Sequence, residues 1–205
     1  MEKTQGTGEM ILVAITGSVC SGKSFMSKVI KNLGYQVFSC DEKIHKILKQ
    51  KIILKKVKQV FSQAIVGNDI SKKLLAEIIF NDLESRQKLE AILYPELFIR
   101  QDEFITKCKK AKQRIVFFEI PLLYEKNLQS KYSFVITTCA PKNILVKRAD
   151  DKGMERKIFY GILKNQLSAQ EKKKKANYVI NTDCTENEIK EKIINTIKEI
   201  LSLKE

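Results

Sequence analysis

Five short apolar runs rich in Val, Ile and Phe punctuate the chain at Ile11–Thr16, Gln36–Cys40, Arg114–Ile120, Ser133–Cys139 and Asn177–Asn181, with helix-period segments between them. Runs of this kind between helices predict strands buried on both faces, hence a parallel five-stranded sheet covered by helices in a three-layer α/β fold. The spacing is uneven. The second and third runs lie over seventy residues apart, too far for one crossover helix. Residues 44–112 read instead as several amphipathic helices, with a turn at Gly67-Asn68-Asp69 and a break at Tyr94-Pro95. A second helical segment, 142–175, is dense in charge and fits a mobile cover. The expected division is therefore a core (about 10–43, 113–141 and 176–205), a helical insertion (about 44–112) suited to holding a second substrate, and a lid (about 142–175). At the carboxyl end, Ile189, Ile193, Ile197 and Ile200 recur at helical spacing, predicting an amphipathic helix on the sheet.

Between the first run and the helix-period stretch beginning at Ser24 stand Gly17, Ser18, Val19, Cys20, Ser21, Gly22, Lys23 and Ser24, which fit G-x-x-x-x-G-K-[ST]. Glycines at both ends let successive backbone N–H groups converge on one point, and the following helix adds its positive end. A polyphosphate is the natural ligand. Lys23 is placed to reach the β- and γ-phosphates, and the Ser24 hydroxyl to ligate Mg²⁺.

Composition narrows the partners. The chain has 205 residues and a formal charge of +14, and only five of its 38 basic residues are Arg. The lysines are spread along every helix without interleaved aromatics, which argues for general lysine enrichment that helps draw in an anionic substrate and against nucleic-acid binding. Lys172–Lys175 reads as a solvated helix face. No stretch approaches 18 uninterrupted apolar residues, so no membrane partner is expected, and Met1–Glu9 reads as a frayed polar tail. Five cysteines, odd in number and widely spaced, suit a reduced cytoplasm better than a disulfide framework. A monomer or weak oligomer is expected.

Phosphoryl transfer to a hydroxyl needs a carboxylate near the attacking oxygen and cations around the transferred group. Asp41 follows the second strand, at the edge where open α/β sheets place ligands; it is either a catalytic base or the N-cap of a helix beginning at Glu42. Glu119 ends the third strand, where it either holds Mg²⁺ through water or caps the Pro-Leu-Leu turn. Arg148 follows the fourth strand, as a lid guanidinium for the phosphates or an exposed helix arginine. His45, the one histidine, reads as a surface residue. Cys20 contributes its backbone N–H.

Several of these segments together resemble the dephospho-CoA kinase family: the loop Thr16-Gly17 to Ser24, Val-Phe-Ser-Cys-Asp41, Arg86 to Pro95, Ile120-Pro-Leu-Leu-Tyr-Glu125, Ala140-Pro141 to Arg148, Gln166 to Lys172 and Ala176 to Asn181. The resemblance runs from about Ile11 to Ile194. It implies a P-loop kinase fold and ATP- and Mg²⁺-dependent phosphorylation of the ribose 3′-hydroxyl of dephospho-CoA, the last step of coenzyme A synthesis. In that scheme Asp41 matches the catalytic aspartate. Lys23 and Ser24 match the phosphate and Mg²⁺ contacts, and Arg148 the lid arginine; Asp41 or Glu119 would assist the metal through water. The chain departs from the family pattern at Ser39, where Asp is common, and at Phe25, which follows the loop where Thr is common. Tyr94 stands where His usually precedes the proline. Two other readings stay open: a P-loop kinase of a nucleoside or nucleotide, and a nucleotide-hydrolysing, nucleic-acid-binding protein. Against the second, there is no N-K-x-D motif and no D-x-x-G directly following the third strand, before the fourth.

Overall fold

The computed structural model describes residues 9–203. The tail expected over Met1–Glu9 lies, up to residue 8, outside the described residues. By their internal contacts the residues form two compact units, one built from the chain up to Phe38 and from Lys107 onward, the other Ser39–Thr106.

The first unit carries the sheet. Strands β1 (Ile11–Gly17), β2 (Gln36–Ser39), β5 (Ile115–Glu119), β6 (Phe134–Cys139) and β7 (Tyr178–Asn181) lie in the order β2-β5-β1-β6-β7. All five expected strands are present: β1 runs one residue further, to Gly17, and the other four are shorter by one or two residues. β1 is central, as its composition requires: every residue but Leu12 is buried, and β5 is buried throughout. Its parallel register sets Ile15 opposite Glu119 on one side and Gly17 opposite Thr138 on the other. These pairings bring the end of β1, the Glu119 carboxylate and the Thr138 hydroxyl to one edge of the sheet.

On one face, Ile11, Val13, Ile15, Ile115, Phe117 and Ile136 pack with Met26, Val29 and Ile30 of helix α1 (Lys23–Asn32) and with helix α9 (Glu186–Ser202). Ile189, Ile193, Ile197 and Ile200 of α9 are all 5% exposed or less, as their spacing predicts. Each contributes roughly 1.5–3 kcal/mol on burial. Helix α9 starts where it does because Thr185 and Glu188 form a capping box, the Glu188 carboxylate accepting from the Thr185 N–H at 2.8 Å. On the opposite face Phe118 meets Phe38 and Tyr132, with ring centroids 5.8 and 5.3 Å away.

The second unit holds α2 (Cys40–Ile47), α3 (Lys51–Val60), a hairpin of β3 (Ile65–Val66) and β4 (Asp69–Ile70), α4 (Lys72–Asn81) and most of α5 (Leu83–Lys110). The expected turn at Gly67 proves to be the tip of this hairpin, with Gly67 at φ 60°. The expected break at Tyr94-Pro95 does not occur. Helix α5 runs 28 residues through Pro95, although the missing N–H and the ring's clash with the Ala91 carbonyl cost about 3 kcal/mol. Leu89, Leu93 and Leu97 stay buried at four-residue spacing across the proline, and Arg100 pairs with Glu96 at 2.9 Å just beyond it. Burial on both sides outweighs the local defect. Burial also pushes the Tyr94 phenol well above its ordinary pKa, with the Glu90 carboxylate reinforcing the shift; this side chain stays neutral where a histidine would titrate.

In the first unit the chain from α6 (Lys142–Asp151) through α7 (Arg156–Lys164) and α8 (Ala169–Lys175) leads into β7. Leu145 and Ala149 of α6 and Phe159 of α7 form a small core of their own. Lys172 corrects the reading of its run as a solvated face. It is fully buried and pairs with Glu125 at 2.9 Å, while Lys173, Lys174 and Lys175 remain exposed.

Candidate active site

The glycine loop is held in shape by two threonines, Thr138 on β6 and Thr182 just past β7. Gly17 ends β1 at φ 149°, and a Cβ there would fall 2.5 Å from both the Thr138 carbonyl and its hydroxyl. Gly22 has φ 94°, and its Cβ would sit 3.0 Å from the Thr182 methyl. The Ser21 and Thr138 hydroxyls are hydrogen-bonded at 2.7 Å. The Thr182 hydroxyl lies 3.0 Å from the Ser21 carbonyl and 3.2 Å from that of Cys139. Thr138 and Thr182 went unnoticed in the sequence; the signal available was a hydroxyl at, or one residue past, the carboxyl end of a strand. Cys20 adopts φ 60°, a left-handed conformation that costs a non-glycine residue about 1 kcal/mol or more.

Beyond the loop, α1 begins at Lys23 with Gly22 as its cap residue, and it has neither a side-chain cap nor an acidic residue in its first turn. Its leading N–H groups lack intrahelical partners, so this helix end presents an anion site. Lys23, 8% exposed, folds back over the loop and donates to the carbonyls of Gly17 at 3.1 Å and Ser18 at 2.8 Å. Its ammonium is thus held against the loop. Phe25 turns its ring into the sheet core rather than toward the loop.

Ser24 donates to the Glu119 carboxylate at 3.0 Å, and Glu119 is only 3% exposed. The carboxylate is directed to the loop's hydroxyl rather than to the following turn. Together the two residues present hard oxygen ligands. Among the described residues no group of three or more His, Cys, Asp and Glu side chains is placed to hold a metal ion. That donor set fits Mg²⁺ completed by phosphate oxygens, the usual arrangement for this ion, and does not fit a dedicated protein cage.

Arg148, on α6, is half-buried rather than exposed. Its guanidinium donates to the Thr182 carbonyl at 2.6 Å, the Thr182 hydroxyl at 2.9 Å and the Cys20 carbonyl at 3.4 Å. It therefore binds the loop's own backbone. Val19 and Cys20 pack against the α6–α7 core, and the Val19 N–H donates to the Gln166 side chain at 3.0 Å.

Asp41 lies in the first turn of α2 and is exposed. The helix begins at Cys40, and its N-cap is Ser39, whose hydroxyl accepts from the Glu42 N–H at 3.5 Å. This corrects the capping alternative for Asp41. A serine at residue 39, departing from the family's usual aspartate, performs that task. His45 is exposed, as expected.

A parallel sheet whose central strand runs into a glycine loop, an uncapped helix end and a lysine folded over that loop defines a P-loop nucleotide-binding protein. The dephospho-CoA kinase family profile matches residues 11–188. The chain belongs to that family. A dephospho-CoA kinase of Bartonella quintana is 30% identical over 193 residues, which span 94% of this chain and 99% of that one. A solved Thermus thermophilus structure superposes with a TM-score of 0.82 at 27% identity, covering 94% of this chain and 98% of its own. A dephospho-CoA kinase from Campylobacter jejuni gives 0.66 at 26% identity, covering 92% and 96%. The activity is ATP-dependent phosphorylation of dephospho-CoA. No helix among the described residues is long and apolar enough to cross a membrane.

Proposed function

We propose that three side chains, Asp41, Lys23 and Arg148, carry the transfer, with the ATP phosphates lying along Gly17–Ser24 and against the Phe25 N–H. Asp41 orients the ribose 3′-hydroxyl of the acceptor and takes its proton as the oxygen bonds to the γ-phosphorus; the β–γ bridging bond breaks and ADP leaves. Lys23 exchanges its loop carbonyls for phosphate oxygens, and Arg148 adds its charge from beside the Cys20 carbonyl. Ser24 would hold Mg²⁺, with Glu119 or Asp41 a further contact through water; bound there, the ion neutralises charge on the phosphates. The 142–175 segment excludes water, so that ATP is not hydrolysed instead. The helical insertion binds the acceptor.

The observation that carries this reading is the Ser24–Glu119 pair at 3.0 Å, at the start of an uncapped helix. All five cysteines are free thiols, which suits a reducing cytoplasm. The test is a coupled ADP-release assay with and without dephospho-CoA. Asp41→Asn should bind ATP within about 2-fold of the parent while turnover falls about 10²- to 10⁴-fold. Full activity in that variant removes Asp41 from the mechanism.

A further inference from the structure

The Val19 N–H points into the Gln166 side chain, and only the carbonyl end of that amide is able to receive it, at 3.0 Å. Gln166 lies between α7 and α8, 147 positions along the chain from Val19. Its backbone is fixed on both sides. The Gln166 N–H closes the end of α7 on the Leu163 carbonyl at 3.2 Å. Next in the chain, the Leu167 N–H donates to Glu125 at 2.8 Å. Ser168 then opens the capping box of α8 with Glu171. Glu125 is itself held by the buried Lys172, which also donates to the Pro121 carbonyl at 3.2 Å. A buried ion pair thus fixes the short connection from which Gln166 reaches the loop.

We propose that Gln166 is a positioning residue for nucleotide binding: its carbonyl pins the loop at Val19, so that the N–H groups farther along, toward Ser24, stay convergent. The contact acts on the loop rather than on the nucleotide, so it contributes equally to ATP and ADP binding. It also links nucleotide affinity to the order of the α7–α8 connection, in both directions. The neighbouring contacts act in the same sense, since Arg148 holds the Cys20 carbonyl and the α6–α7 core holds the Val19 side chain.

The inference rests on the loop being the ATP site, and nucleotide titration of the full chain without acceptor separates the two ideas. A parent protein that binds neither ATP nor ADP overturns the site itself. Given a binding parent, Gln166→Ala should weaken both nucleotides by about 5-fold, the worth of one hydrogen bond. The KM for ATP should rise by the same factor, with the KM for dephospho-CoA unchanged. In a ¹⁵N–¹H spectrum the Val19 amide should shift upfield and exchange faster, while Gln166→Glu, which keeps an acceptor of the same reach, holds that resonance in place. Gln166 is only half-buried, so these variants leave the core intact. Unchanged affinity in Gln166→Ala, or an unmoved Val19 amide, overturns the proposal. So does tighter ATP binding, because the carbonyl would then be competing with phosphate.

Discussion

Replacing Lys172 by Met removes a buried ammonium and leaves the Glu125 carboxylate without its ionic partner. Lys172 is wholly buried and the Glu125 side chain is 12% exposed, so little water is at hand to take the ammonium's place. Glu125 would keep only the Leu167 N–H on Oε1, and Oε2 already lacks a hydrogen-bond partner among the described residues. Breaking one side of a buried pair costs about 3–5 kcal/mol, whereas replacing both members by apolar residues is often neutral. For a chain of this size each kcal/mol corresponds to about 2–4 °C. Lys172→Met should therefore melt about 6–20 °C below the parent, and Lys172→Met with Glu125→Leu should recover most of that loss. Urea titration and differential scanning calorimetry of the parent, both single variants and the double variant provide the comparison. A Lys172→Met protein within about 1 kcal/mol of the parent, or a double variant no better than the worse single one, would refute the claim that this pair is desolvated and coupled.

Gly17→Ala should abolish detectable ATP binding, because the new Cβ meets the Thr138 backbone carbonyl at 2.5 Å and backbone gives way least; isothermal titration decides it, and near-parental affinity would contradict the packing. Hydrogen bonds from Ser168 and Thr185 hold the Glu171 and Glu188 carboxyls below their ordinary value of 4.5. Depressed values stabilise the fold above the unfolded value, and the contribution is lost as pH falls through the lower folded one. Glu171→Gln and Glu188→Gln should thus flatten the acid limb of stability below about pH 4.5, measured by helical circular dichroism between pH 3 and 6; acid limbs matching the parent's would exclude the effect.

The strands and the loop could be read in advance because their signals are local: β-branched runs, two glycines at fixed spacing, a lysine and a serine. Partners fixed by strand register left no such mark. Thr138 matters only because β6 sits beside β1 with Gly17 opposite it, and no local pattern announces that adjacency. Lys172 misled for a related reason, since four consecutive lysines resemble a solvated face until one of them meets a carboxylate 47 residues earlier in the chain. Pro95 misled because burial on both sides of it, a tertiary effect, offset a local penalty. Ser39 read as a missing acid, and its capping role became visible only once the helix was seen to start at Cys40. Gln166 lay within a segment that resembled the family, but its task depends on a contact across the fold.

Thr138 and Thr182 change what the loop's glycines record. Gly17 has no room for a methyl group beside Thr138, and at Gly22 a methyl would press on the Thr182 side chain from a backbone held at φ 94°. The pattern is therefore under two selections, one for the ligand and one for packing between β1, β6 and the residue after β7. A descendant that lost its substrate would retain both glycines as long as it kept its threonines, and its loop would still read as a kinase's.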